Sequence, residues 1–150
     1  MKKIKCSLAT FGYQMMPAPA VQAYCYLPRI NLGTTTDFMI DTGAAGTCIH
    51  GSYAYGLREY MRPETLTPIE GIGGAHQYFK ERAIIVFTDT RGNPIPQVIT
   101  LCIQQILPQY LAEHPNLLRM PCLLGRDILN RWEFKYDARK ENITLEVPSS

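Results

Sequence analysis

No run of apolar residues in this chain approaches the roughly 18 that a membrane-spanning helix needs, so no membrane partner is expected. Neither sign of charge dominates. Lys and Arg number 15 against 13 Asp and Glu, and the basic residues are scattered, so nothing here forms an electrostatic footprint for nucleic acid. Cys-x-x-Cys is missing as well. The five cysteines, Cys6, Cys25, Cys48, Cys102 and Cys122, are odd in number and without paired short spacings. His50, His76 and His114 lie far apart, which gives a structural zinc site little support. Several of the cysteines sit in apolar, strand-like runs, where a thiol behaves as a small hydrophobe. Free buried thiols and a reducing, cytoplasmic setting are therefore expected.

A signal peptide is suggested by Lys2, Lys3, Lys5 and a cleavage-like Val21-Gln22-Ala23, but Gly12, Gln14, Pro17 and Pro19 interrupt any apolar h-region. Internal repeats and low-complexity stretches are absent too. At 150 residues the chain is expected to form one domain, with residues 1–19 as an N-terminal extension or interface strand.

What is present is a succession of strand patterns. Ile4, Cys6 and Leu8 alternate with polar residues, and Val21, Ala23, Cys25 and Leu27 do the same before a turn expected at Leu32-Gly33-Thr34. Thr36 to Ile40 reads as the next strand. Ser52 to Met61 fits a short helix capped by Ser52 or an irregular segment. Tyr78 to Phe87 is the returning arm of a hairpin, Thr90-Arg91-Gly92-Asn93-Pro94 is a turn, and Val98 to Ile103 is a further strand. Gln104 to His114, bounded by Pro108 and Pro115, suggests a short helix or an insertion. Pro121 to Gly125 is a buried strand, after which Asp127 can cap a helix. Phe134 to Ala138 and Ile143 to Val147 alternate as a terminal hairpin.

Against this background Asp41 stands out. It follows Phe38, Met39 and Ile40, and an unpaired carboxylate on a buried strand costs several kcal/mol or stays protonated. Thr42 adds a hydroxyl that both donates and accepts, and Gly43 permits a positive φ and close backbone approach. The strand thus ends in a turn presenting one carboxylate. Further on, Gly71, Gly73 and Gly74 surround Ile72 in a tip suited to movement. No helix pattern and no Lys-Ser or Lys-Thr follows this run, so a phosphate cradle is not supported.

Met39-Ile40-Asp41-Thr42-Gly43-Ala44 resembles the active-site loop of the retropepsin-like aspartic proteases, and Ile69-Glu70-Gly71-Ile72-Gly73-Gly74 resembles their flap. Leu123-Leu124-Gly125-Arg126-Asp127-Ile128-Leu129 resembles their apolar-apolar-Gly segment and its following helix. The three motifs stand in family order. The resemblance implies an all-β, retropepsin-like closed barrel with a flap hairpin and one short C-terminal helix. It implies Asp41 as the catalytic residue and Thr42, Gly43 and Ala44 as its loop. Gly71, Ile72, Gly73 and Gly74 would be the flap against substrate, and Leu124, Gly125 and Arg126 would support the site. No metal or organic cofactor is implied.

Carboxylate catalysis of amide hydrolysis needs two carboxylates, one to give and one to take a proton. This chain has a single Asp-Thr-Gly, so the expected enzyme is a homodimer acting on a peptide or protein substrate. In the family Thr42's counterpart bonds the other subunit's loop, and the carbonyl of Gly43's counterpart receives substrate main chain. One departure concerns Arg126, whose counterpart pairs with an acidic residue where this chain has Ala45 and Gly46. Arg126 therefore needs another partner, and the C-terminal strand, Ile143 to Val147, is an alternative dimerisation element. The alternative function is a non-catalytic module of the same fold that dimerises or binds extended peptides by strand addition. A third possibility is an unrelated β-barrel binding protein.

Overall fold

Period-two burial builds this molecule: in Ala18–Leu27 the odd-numbered residues from Val21 to Leu27 are buried, while Gln22 and Tyr24 face outward. The computed structural model describes residues 1–11, 16–71 and 74–149. The strands are β1 Lys2–Lys5, β2 Ser7–Ala9, β3 Ala18–Leu27, β4 Leu32–Ile40, β5 Cys48–Ile49 and β6 Thr67–Gly71. They continue with β7 Gly74–Thr88, β8 Pro94–Gln104, β9 Cys122–Leu124, β10 Glu133–Asp137 and β11 Asn142–Val147. The helices α1 Gly51–Leu57, α2 Pro108–Leu111 and α3 Arg126–Leu129 are all short. The described residues are thus mostly β; α1 and α2 fall where a short helix was one of two expected options, and α3 where the C-terminal helix was expected.

An eight-stranded sheet runs β2-β3-β4-β9-β5-β8-β7-β6, and β3 also pairs with β7. The pairings consequently return to β3 after passing through β4, β9, β5, β8 and β7. The long β7–β8 hairpin, in register from Tyr78↔Gln104 to Thr88↔Pro94, provides much of this circuit. Phe38, Phe87, Leu27, Ile85, Leu101 and Leu124 fill the interior, and Trp132 meets Phe87 edge to face at 4.9 Å. Glu81 is one of the polar side chains buried beside this apolar filling. It is 3% exposed but bound by both Nε and Nη2 of Arg29, whose Nη2 also reaches the carbonyl of Tyr60.

A second sheet has the order β1-β11-β10. Both edges of β11 are filled, by β1 from Lys2↔Val147 and by β10 from Glu133↔Glu146. The terminal hairpin forms as expected, but β11 has no free edge to offer a second chain. The free edges of this sheet belong to β1 and β10.

Local chemistry moved several expected boundaries. The turn after β3 lies before Leu32, because Asn31 takes the left-handed conformation at φ 51° and Tyr26 Oη donates to its side-chain oxygen. Gly33 is a strand residue; the Tyr24 ring occupies the place a Cβ would take. Ser52 is not the cap of α1. The helix begins at Gly51, with His50 in the cap position and no side-chain cap bond. Ile72 and Gly73, expected at the tip of a flap, lie outside the described residues, and the hairpin arms are in register up to Gly71↔Gly74.

Candidate active site

Strands β4 and β5 are neighbours in sequence but not in the sheet, because β9 is inserted between them. Ile40 pairs with Leu124 in parallel, and Cys48 pairs with Leu123 antiparallel. The chain from Asp41 to Thr47 therefore has to step across the end of β9. Asp41 begins that step half-buried, its amide donating to Leu124 O at 3.0 Å. Its carboxylate is aimed by a second bond, since the Gly43 amide donates to Oδ1 at 2.9 Å.

The glycines of this site act through close approach. Gly43 is not among the positive-φ residues; a Cβ there would lie 3.1 Å from Asp41 Oδ1, crowding the carboxylate. Gly125 is the tighter case, where a Cβ would fall 2.5 Å from Gly46 O and 3.0 Å from Ala44 O. Only a hydrogen lets the end of β9 pass under the loop. The following amides then tie down the loop's carbonyls, Arg126 N to Ala44 O at 2.8 Å and Asp127 N to Ala45 O at 3.2 Å.

Asp127 was expected to cap a helix, yet the cap position of α3 is Gly125, with no side-chain cap bond. The Asp127 carboxylate points back to the loop instead. It accepts from Thr47 N at 3.0 Å and from Thr47 Oγ1 at 2.7 Å, while Thr47 Oγ1 accepts from Gly125 N at 3.2 Å. Thr47 is fully buried, so these bonds form with little competition from water. Arg126 is exposed and finds its partner in the loop, donating from Nη1 to Thr42 O at 2.9 Å. That bond uses a main-chain carbonyl in place of a side-chain carboxylate. Thr42, Gly43 and Ala45 are exposed and Ala44 is half-buried, which leaves this face of the loop open.

The flank of the site contains residues that sequence reasoning did not single out. Nδ1 of His50 lies 2.7 Å from Pro121 O, and Nε2 lies 2.8 Å from Tyr78 Oη. A carbonyl only accepts, so Nδ1 carries the proton and Nε2 accepts from the tyrosine hydroxyl. Burial lowers the His50 pKa, the effect of desolvating the charged form. One ring thereby joins β5, the entry to β9 and the hairpin arm β7. Beside it, the segment from Gln105 to Met120 walls a cavity of about 680 Å³ with His76, Gln104, Tyr110, His114 and Met120 among its lining. Gln104 Oε1 is buried without a hydrogen-bond partner among the described residues. Only the spatial pairing of β7 with β8 could have revealed this group. No set of three or more His, Cys, Asp or Glu among the described residues could hold a metal ion. No described helix is long and apolar enough to cross a membrane.

Comparison with curated proteins finds no match. A family model, described as retroviral aspartyl protease, matches residues 25–136, a span that takes in the Asp41 loop, the β6–β7 hairpin and the Leu124-Gly125-Arg126 support. With more than half of its 150 residues inside that match, the chain belongs to the retroviral aspartyl protease family.

Proposed function

We propose that the chain is an aspartic endopeptidase that works as a homodimer, with Asp41 of each copy supplying one carboxylate of the catalytic pair. The observation that carries this reading is the setting of Asp41, whose carboxylate is aimed by the Gly43 amide in an open loop braced by Thr47, Arg126 and Asp127. Asp89 and Asp137 accept the same kind of amide bond in ordinary turns; what sets Asp41 apart is the bracing of its loop by β9 and α3. In the dimer one carboxylate takes a proton from water attacking the scissile carbonyl, while its protonated partner donates to the carbonyl oxygen. The proton then passes to the leaving amine as the tetrahedral intermediate collapses. In this reading Thr42 meets the second copy's loop, Gly43 and Ala44 contact substrate main chain, and the β6–β7 hairpin is the flap covering the peptide. The return of the strand pairings to β3 supports a closed barrel beneath it.

Aspartic proteases are a known case of two adjacent carboxylates sharing one proton, so the rate is bell-shaped in pH. Asp41→Asn keeps shape and hydrogen-bonding capacity, and abolishes peptide cleavage while leaving fold and dimer intact. Activity per protomer falls on dilution, in step with dimer dissociation measured by sedimentation. Cleavage that persists in pure Asp41→Asn protein would falsify the mechanism. Inactive wild type that still binds extended peptides would favour the binding-module reading.

A further inference from the structure

Two of the five cysteines differ from the other three. Cys48 and Cys102 are direct partners in the parallel β5–β8 pair, and Lys80 is the antiparallel partner of Cys102 from β7. Directly opposed residues share a face of the sheet, so thiol, thiol and ammonium stand in one row. Lys80 Nζ lies 3.2 Å from Cys102 Sγ, and Cys48 Sγ lies 3.3 Å from Gly46 O. This row belongs to a small cluster outside the main core, with Tyr78 among its buried members and Ile69 and Leu123 packed against it.

We propose that Cys48 and Cys102 are an oxidisable thiol pair, primed by Lys80, that closes to a disulfide when the protein meets a peroxide. Adjacent strands are about 4.8 Å apart, inside the roughly 4.4–6.8 Å between Cα atoms that a disulfide spans. Reactivity is asymmetric. The neighbouring Cys48 thiol and the Lys80 ammonium lower the Cys102 thiol below its ordinary value against burial, while Cys48 is pushed well up by its neighbour Cys102 and by burial. Around the pair stand Lys80 and Tyr78 from β7 and Asp127 from α3, whose negative charge opposes the Cys102 thiolate. By contrast, burial pushes the Cys6 thiol to about 12 and Cys25 to about 11, and it also raises Cys122.

The chemistry balances with peroxide as the named oxidant. The Cys102 thiolate attacks one peroxide oxygen, the O–O bond breaks, and the departing hydroxide takes a proton from solvent, leaving Cys102 as a sulfenic acid. Cys48 sulfur then attacks the sulfenic sulfur and the S–O bond breaks. The Cys48 proton leaves with that hydroxide as water. Two sulfurs lose two electrons in all, and peroxide becomes two waters. The new bond ties β5, which ends the Asp41 loop, to β8.

The test uses reduced full-length protein and hydrogen peroxide, which is small enough to reach thiols that are 8% and 3% exposed. After quenching, the protein is unfolded in iodoacetamide, digested and mapped by mass spectrometry. The expected product joins the Cys48 and Cys102 peptides, with Cys6, Cys25 and Cys122 alkylated. In wild type the crosslinking rate rises with a midpoint below the ordinary thiol value of 9.0, as the lowered Cys102 thiol requires. Lys80→Met slows crosslinking at pH 7 by at least about tenfold. Cys48→Ser stops at a sulfenic acid that dimedone captures at Cys102. The proposal is overturned by a midpoint at or above the ordinary thiol value of 9.0, by oxidation spread over the other cysteines, by absence of the crosslink, or by an unchanged rate in a folded Lys80→Met.

Discussion

The loop from Asp41 to Thr47 and the segment from Gln105 to Met120 both connect strands of the same sheet, yet they are held in opposite ways. The first is bonded to residues about 80 positions away, through Thr47 to Asp127, Arg126 to Thr42 and Ala44, and Gly125 packed against Gly46. The second is held largely by local turns, such as His114 N to Tyr110 O at 2.8 Å and Leu117 N to His114 O at 3.1 Å. Its firm attachments are at its ends, where Gln105 N donates to Gln77 O at 2.9 Å, Gly51 abuts the carbonyls of Leu118 and Met120, and His50 holds Pro121 O. In the proposed peptidase the loop carrying Asp41 must keep one geometry, which bonds from a separate element impose. A wall segment needs only its ends placed, which leaves its middle free to vary.

The sharpest way to break the contrast is Gly125→Ala. The added methyl would meet backbone atoms of Gly46, which cannot rotate aside as a side chain could. Destabilisation of about 3 kcal/mol is expected, at the upper end for overpacking, measured by urea unfolding. Tyr110→Ala, in the locally held segment where Tyr110 is 48% exposed, is the matched control and should stay within about 0.5 kcal/mol. Equal losses at the two sites would sink the comparison.

Next in size is Thr47→Val, which keeps volume but deletes the hydroxyl between Asp127 Oδ1 and Gly125 N. Both partners lose a bond in a buried place, a loss of about 2 kcal/mol. Thr47→Ser restores the hydroxyl and should recover most of it.

The second region has a pH-dependent anchor. The His50 pKa is lowered on folding from its ordinary 6.5, so the folded state prefers the neutral ring. Its contribution is complete above the unfolded value and is lost as pH falls below about 6.5 toward the folded value. Protonation would add a second N–H where Tyr78 already donates. Stability should therefore decline between pH 7 and pH 5 in wild type and do so less in His50→Gln. Asp89 acts in a separate window. Amide bonds from Asn93 and Arg91 lower it below the ordinary 3.8, so its contribution fades only at still lower pH. A flat wild-type profile from pH 7 to 5 would remove His50 as an anchor.

The two regions also differed in how far the sequence revealed them. Asp41, its loop, the hairpin around Gly71 and the β10–β11 hairpin were legible because each is a local pattern of period and turn chemistry. The partners of Asp127 and Arg126 were not, because Asp127 next to a helix start looks like a cap until β9 is seen lying between β4 and β5. Asn31 took the turn from Gly33 for a similar reason. Gly33 reads as turn chemistry in the sequence, and only the fold shows the Tyr24 ring against it. The pairing of Cys48, Cys102 and Lys80 is a register fact, and no single stretch contains it.

The smallest expected effect on stability comes from Arg126→Met, and it separates holding the loop from holding the fold. Arg126 is exposed, and among the described residues its guanidinium makes one bond, to Thr42 O at 2.9 Å, while the backbone of the same residue still ties Ala44. Methionine keeps an unbranched stem of similar reach, so helix α3 and the Thr47–Asp127 brace remain. Loss of a single exposed bond should change unfolding free energy by no more than about 0.5 kcal/mol. Thr42, however, sits between the Asp41 carboxylate and Gly43, and freeing its carbonyl lets the peptide plane beside the carboxylate turn. In the proposed peptidase this predicts a fall in kcat/KM of about tenfold, on the order of 1.4 kcal/mol of transition-state stabilisation. Arg126→Lys should recover part of it, since an ammonium donates to a carbonyl but lacks the planar fork. Measuring kcat/KM and urea midpoints on the same preparations decides the matter. A stability loss that accounts for the whole loss of rate would make Arg126 a fold residue, and rates equal to wild type would show that the remaining bonds keep Asp41 in place without the guanidinium.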